Sequence, residues 1–156
     1  VEDDPRIFAM PYSRHPVVVF MHKRHRLAKR KSIKIEELQG EPMVLRENGS
    51  TTRLAFEAAM KRADVTVDPV MEIGSREAVW LAVARGIGVV SDIEYIPHPD
   101  LHQVNISNAE VYTTAHVNCL TERKDSRMIE AFFEACRDLM AKRPRIMASS
   151  HKLGLG

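Results

Sequence analysis

Apolar residues along this chain gather in short β-branched runs, and between those runs they recur at helical spacing. Pro16-Val17-Val18-Val19-Phe20-Met21 is a strongly β-branched stretch, and Arg6-Ile7-Phe8-Ala9-Met10 is a second strand candidate ahead of it. Pro42-Met43-Val44-Leu45 predicts a further strand, Asn48-Gly49 a tight turn, and the helix formers of residues 54–63 a helix. The same order then repeats. Residues 70–73 predict a strand, Gly74-Ser75-Arg76-Glu77-Ala78 opens a helix whose Val79, Ala82 and Val83 continue an apolar face, Gly86 stops it, and Gly88-Val89-Val90 forms the next strand. Strand, helix, strand, helix, strand implies right-handed crossovers and a parallel sheet, so the fold class expected is α/β. Residues 101–106 and 111–120 add extended segments. Asp125 or Ser126 caps a last helix, in which Met128, Ile129, Phe132, Phe133, Cys136, Leu139 and Met140 make a wide apolar stripe that Pro144 brings to an end.

The repeated unit carries the candidate chemistry. Ser50, Thr51 or Thr52 can cap the first helix, whose opening N–H groups have no partner within the helix. Free donors and the positive end of the helix dipole together attract an anion. Ser75 is the expected cap of the second helix, and Glu77 suits that helix's positive end. In parallel sheets the carboxyl ends of strands and the helix entrances that follow lie along one edge, where ligands bind. Both hydroxyl-bearing turns are therefore expected to face one crevice suited to a carboxylate, sulfate or phosphonate. The alternative is a pair of ordinary capped helices with empty entrances.

Composition narrows the class of protein. With 156 residues, 44% hydrophobic and 28% charged, the chain fits a globular domain or two small lobes. No apolar run approaches the ~20 residues of a membrane helix and no signal peptide opens the chain, so a cytoplasmic location away from the membrane is expected. Cys119 and Cys136 lack metal-type or redox-type spacing and read as buried thiols. The net charge of +2 is too small to announce a nucleic-acid binder. The basic run from His22 to Lys34 reads as a solvated loop that raises the positive potential near an anion site. Enzyme signatures fail one by one: Gly86 and Gly88 enter a strand where a dinucleotide loop would leave one, and they read as a helix stop followed by close backbone packing. His98 and His102 have i, i+4 spacing, but Pro97 and Pro99 make a helix there unfavourable, and Ser50 and Ser75 lack a nucleophile-elbow context. No catalytic set, metal site or cofactor is expected.

His25-Arg26-Leu27-Ala28, Ile35-Glu36-Glu37-Leu38-Gln39-Gly40-Glu41-Pro42, the stretch from Arg46 to Arg53, Gly74-Ser75-Arg76-Glu77-Ala78-Val79 and Val83-Ala84-Arg85-Gly86-Ile87-Gly88-Val89-Val90 occur in an order and at a spacing that carry a resemblance. Together they resemble the effector-binding domain of LysR-type transcriptional regulators over most of residues 16–90, and more weakly to about residue 139. Arg26 stands where the family commonly has proline, and Ser91-Asp92-Ile93 replaces a proline-containing turn, which alters the far wall of the pocket. The resemblance implies a periplasmic-binding-protein-like lobe, a parallel-rich sheet flanked by helices, joined by two hinge-crossing strands to an incomplete second lobe. It divides the chain into a remnant of lobe one with the first crossover (1–20), effector-binding lobe two (21–110), a return crossover with a lobe-one helix (111–141) and a tail expected to lack order (142–156), with the hinge at Phe20, Met21, His116 and Val117. It also implies that Ser50, Thr51 and Thr52 meet the effector, that Asn48 and Gly49 shape the turn, that Arg46 or Arg53 supplies charge, and that Gly74, Ser75 and Arg76 form the second wall.

The function so implied is sensing of a small anionic metabolite to control transcription. The expected partners are that metabolite, further copies of the chain in a homodimer or higher homo-oligomer, and DNA only through an N-terminal winged helix-turn-helix absent from this chain. The Gly74 to Ala78 stretch also looks like regulators associated with phosphonate utilisation. The alternative is the solute-binding component of a small-anion transport system.

Overall fold

In the computed structural model, which describes residues 4–93 and 98–142, the β-branched run of residues 16–21 lies in the middle of a sheet. It belongs to β1 (Ile7–His22), which is followed by β2 (Ser32–Ile33), β3 (Pro42–Arg46), α1 (Thr51–Arg62), β4 (Asp68–Ile73), α2 (Arg76–Ala84), β5 (Val89–Ile93), β6 (Leu101–Ile106), β7 (Tyr112–Leu120) and α3 (Arg127–Lys142). The two strands expected at residues 6–10 and 16–21 are thus one. The residues between them, Pro11 to His15, include no glycine or turn pair, and proline's φ is compatible with extended backbone.

The chain divides into two compact units, Arg14–Thr114 and Val1–Ser13 with Ala115–Gly156. In the larger unit the strand order is β2-β6-β1-β5-β3-β4. β3 is parallel to both β4 and β5, as the repeated strand-helix pattern requires, while β1 runs antiparallel to β5 and β6. From β3 the chain steps outward to β4 and then returns past β3 to β5. Right-handed crossovers that reverse direction in this way put their helices on opposite faces of the sheet. The core divides accordingly. Val17, Val19 and Met21 of β1 join Phe56, Ala59 and Met60 of α1 on one face, and Val18 and Phe20 join Val79, Trp80 and Val83 of α2 on the other. Continuous apolar runs in β1 and β3, and Val89-Val90 at the start of β5, are what a doubly covered sheet demands. Each large side chain so buried contributes about 1.5–3 kcal/mol.

Gly88 shows how closely the returning strand packs. Its φ is +66°, and a Cβ there would lie 2.5 Å from the Pro42 carbonyl oxygen. β4 forms the sheet margin beyond β3 and tolerates Pro69, with Val70 and Met71 exposed. The residues at 91–93, expected after the third strand, continue β5 instead, paired with Val17, Val18 and Val19.

In the smaller unit α3 begins directly after Ser126, as expected, and Phe133 packs its ring 5.4 Å from Phe8. The apolar stripe of α3 is only partly covered there: Phe133 and Cys136 are buried, whereas Met128, Phe132 and Leu139 are exposed. The hinge expectation needs correction. Phe20 and Met21 lie inside the larger unit at 3% and 0% exposure, and the chain passes between units at residues 13–14, where the apolar run that anchors β1 has not begun. His116 and Val117 follow directly after the second passage at residues 114–115. The expectation for the tail at 143–156 lies outside the described residues.

Candidate functional site

β3 and β4 are parallel with Arg46 opposite Ile73, so the chain leaves both strands at the same edge before entering α1 and α2. At the first exit a four-residue turn is closed by the Ser50 N–H donating to the Glu47 carbonyl at 3.1 Å, with exposed Asn48 and Gly49 at its tip. Gly49 has φ +93°, which explains the glycine. Ser50 is the N-cap residue of α1, yet its side chain makes no capping bond. Among the described residues, the amides of Thr51, Thr52 and Arg53 therefore face the turn without an acceptor. Thr51 is exposed and Ser50 half-buried. Thr52, in contrast, is buried at 3%, on the same helical face as Phe56 and Met60, so its hydroxyl belongs to the interior. Helical periodicity alone contained that warning.

The second exit is closed upon itself. Ser75 Oγ accepts from the Ala78 N–H at 3.3 Å and donates to Glu77 Oε2 at 3.0 Å, which makes the expected cap and leaves that hydroxyl occupied; Gly74 is exposed beside it. The two helix entrances are thus unlike: α1 is open and α2 is self-capped.

The arginines differ as well. Arg53 donates to Glu57 and the Arg46 carbonyl, both at 2.7 Å, and to Glu72 at 2.8 Å, so it ties α1 to the ends of β3 and β4. Arg46, with its side chain 13% exposed, donates through Nε and Nη2 to the Glu47 carboxylate at 2.9 and 3.0 Å. Arg76 Nε lies 3.0 Å from Asp92 Oδ2. Hydrogen bonds from Arg46, foremost, hold the Glu47 carboxyl below the usual range, and the charges of Arg46 and Arg76 add to this. The Glu77 carboxyl is lowered first by its own backbone N–H, then by Ser75 and the same two arginines. Arg46, Arg76, Glu47 and Glu77 thus form one charged group at the shared edge.

Sequence reasoning missed Asp92 and Trp80. Asp92 has no exposure, accepts from Trp80 Nε1 at 3.1 Å and from the Ile93 N–H at 2.8 Å, and lies against Arg76. A carboxylate two residues after Val90 in a buried strand was the available signal. The basic run also needs correction. His25 and Arg26 pair with Glu41, Arg30 with Glu37, and Lys23 with Asp100 at 2.6 Å. Glu41 directly precedes β3, so His25 and Arg26 sit at the strand's amino-terminal end, opposite the Ser50 turn, where both contact the Glu41 carboxylate. A groove of about 410 Å³ lies elsewhere, beside Ile35, Ala59, Arg62 and Asn108, where the carboxylates of Glu36 and Glu110 disfavour an anion.

A chain that reverses its course across a mixed sheet, with an open helix entrance at the carboxyl ends of its parallel strands, has the architecture of the periplasmic-binding-protein-like class. It belongs to the LysR substrate binding domain family, whose model matches residues 1–141. The chain is 40% identical over 75 residues to the HTH-type transcriptional activator CmpR of Synechocystis sp., a match covering 48% of this chain and 25% of that protein. It is 39% identical over 83 residues to a RuBisCO operon transcriptional regulator of Acidithiobacillus ferrooxidans, covering 53% and 27%. The matches thus span about a quarter of these curated relatives. Among solved structures, the CcmR regulatory domain of Synechocystis PCC6803 in complex with 2-PG superimposes with a TM-score of 0.80 at 26% identity, covering 91% of this chain and 71% of that one. The effector binding domain of QuiR in complex with shikimate shares the fold at a TM-score of 0.82 and 17% identity, covering 92% and 69%. The family and these relatives are those of transcriptional regulators, not enzymes, and they do not favour the transport alternative. Among the described residues no helix is long and apolar enough to cross a membrane, and no group of three or more His, Cys, Asp or Glu is arranged to hold a metal ion.

Proposed function

We propose that this chain is the effector-sensing part of a LysR-type transcriptional regulator and binds a small carboxylate, sulfate or phosphonate-type anion at the amino terminus of α1. The observation that carries the reading is the uncapped entrance, with the amides of Thr51, Thr52 and Arg53 and the hydroxyls of Ser50 and Thr51 at an edge shared with Arg46 and Arg76. The cost of binding there is small. Glu47 is 44% exposed, and ion pairs with so exposed a partner contribute about 0–1 kcal/mol, so Arg46 can exchange Glu47 for a ligand oxygen. Asn48 and Gly49 set the turn, Gly74 and Ser75 border it, and Arg53 braces it. Hydrogen bonds to a charged ligand contribute roughly 1.5–3 kcal/mol each. After binding entropy is subtracted, micromolar to millimolar dissociation constants are expected.

The signal to DNA would pass through a winged helix-turn-helix outside these residues, in a cytoplasmic homo-oligomer. Its size is bounded by the difference in effector affinity between the two states of the regulator. The 2-PG complex of the similar CcmR domain makes 2-PG the first probe, with inorganic phosphate and sulfate beside it. Calorimetry on the variant Ser50→Ala/Thr51→Ala is the test. The expected weakening is roughly ten- to a hundredfold. Because neither hydroxyl caps α1, the melting temperature should barely move. Unchanged affinity for every probe would remove these residues from the site.

A further inference from the structure

We propose that Asp92 is a positioning residue that holds the Arg76 guanidinium ready at the shared strand edge, where it meets the anionic ligand; this rests on the site assigned above. Asp92 projects from β5 on the same face as Val90, into the layer built by Val18, Phe20, Val79 and Trp80, and has no solvent exposure. A carboxylate is held in such surroundings only by partners. Both oxygens have them: Oδ1 accepts from the Ile93 N–H at 2.8 Å, and Oδ2 accepts from Trp80 Nε1 at 3.1 Å with Arg76 Nε at 3.0 Å. Arg76 and Trp80 are four residues apart on α2, so one helical face brings both to the same oxygen.

The Arg76 contact differs from the Trp80 bond. Its Nε is buried without a hydrogen bond of good alignment, so the attraction to Asp92 is one of charge. Arg76 nonetheless remains 35% exposed, and among the described residues its terminal nitrogens make no hydrogen bond. A guanidinium anchored at Nε with its terminal fork uncommitted is arranged for a bidentate oxyanion. The anchor also has competitors. Glu47 and Glu77 both feel the charge of Arg76, and a long side chain released from Asp92 would settle on one of them and be masked. Trp80 already fastens α2 to the sheet through the same carboxylate, so packing alone gives no reason for the second contact.

The test uses the full chain and inorganic phosphate, followed by NMR at the backbone amides of Thr51 to Arg53 and at the Arg76 Nε–H. Asp92→Asn keeps an acceptor for Trp80 and removes the charge. It should weaken phosphate binding roughly tenfold, the effect of one charge-assisted bond lost. Arg76→Gln should do the same, and the double variant, in which both charges are gone, should bind no worse than Arg76→Gln alone. Adding Glu77→Gln to Asp92→Asn should restore part of the affinity by removing a competing partner. In the unmodified chain the Arg76 Nε–H should exchange slowly with solvent, and in Asp92→Asn quickly. Wild-type affinity in Asp92→Asn while Arg76→Gln is weak, additive losses in the double variant, or slow Nε–H exchange in both proteins would each reduce Asp92 to a structural pin and overturn the proposal. If phosphate moves no signal even in the unmodified chain, the site itself is refuted and the role of Asp92 with it; the exchange data would still report on the anchor separately.

Discussion

In the proposed site, Glu47 occupies the place that a ligand carboxylate would compete for. It holds Arg46 through two hydrogen bonds while staying half exposed, so it works as an internal stand-in for an anion. Glu47→Gln should therefore tighten sulfate binding severalfold, since both a competitor and a like charge disappear. Calorimetry showing weaker or equal binding would mean that Arg46 does not reach the ligand. The pH dependence has a definite sign. Arg46 above all lowers the Glu47 carboxyl, and its own backbone and Ser75 lower that of Glu77, so both stay ionised below the ordinary carboxylate value of about 4.3. Sulfate affinity should be flat from pH 8 to 5 and rise only in stronger acid as these competitors protonate. The stability they lend follows the same window: folded-state values below the unfolded ones give a contribution that is present above about pH 4.3 and is lost as pH falls through the folded values. A sulfate affinity that climbs between pH 7 and 6 would mean that a protonating histidine adds positive charge at the site, and that Glu47 and Glu77 are not the groups limiting binding.

At the scale of elements, α3 separates two neighbouring aromatic residues into different roles. Phe133 is 3% exposed against Phe8, and Phe132 is 54% exposed beside it. Phe133→Lys buries a charge in a packed site and should cost about 3 kcal/mol or more, enough to lose the cooperative melt of a marginal unit. Phe132→Lys should leave the melt within a few degrees. Circular dichroism distinguishes the two, and equal destabilisation would mean that the exposed ring packs in solution. Met128, Phe132 and Leu139 together form an apolar strip of the kind that recruits other chains. This strip is the surface on which the proposed homo-oligomer would draw, and Phe132→Lys should then also lower the mass seen in light scattering.

For the molecule as a whole the charge distribution argues against DNA recognition by these residues. The net charge is +2, and Asp100, Glu41 and Glu37 partner Lys23, Arg26 and Arg30 of the basic run that alone suggested a nucleic-acid contact. The chain by itself should show a specificity ratio for promoter over random duplex well below about a thousandfold, with residual binding falling steeply as salt rises. Competition binding at near-physiological salt measures this directly. A large, salt-resistant preference would place a recognition surface within the chain.

Periodicity along the chain determined much of this protein: the order of strands and helices from β3 to β5, their parallel pairing, and the turn that opens α1 at the strand ends. These depend on short-range physics, on side-chain spacing, turn chemistry and the twist that makes crossovers right-handed, and each leaves its mark within a few residues. The glycine at position 88 was legible in the same way, because close packing against the Pro42 carbonyl admits nothing larger. Long-range pairing was not legible. That β1 continues unbroken through Pro11, that the chain passes between units at 13–14, and that Glu41 draws His25 and Arg26 to the far end of β3 all depend on partners distant in sequence. The site shows the same division. The turn and the open entrance of α1 follow from local sequence, but which arginine braces, which is paired and which keeps its terminal nitrogens unbonded was decided by Glu57, Glu72, Glu47 and a buried Asp92, because a charge takes whatever counter-charge the fold brings within reach.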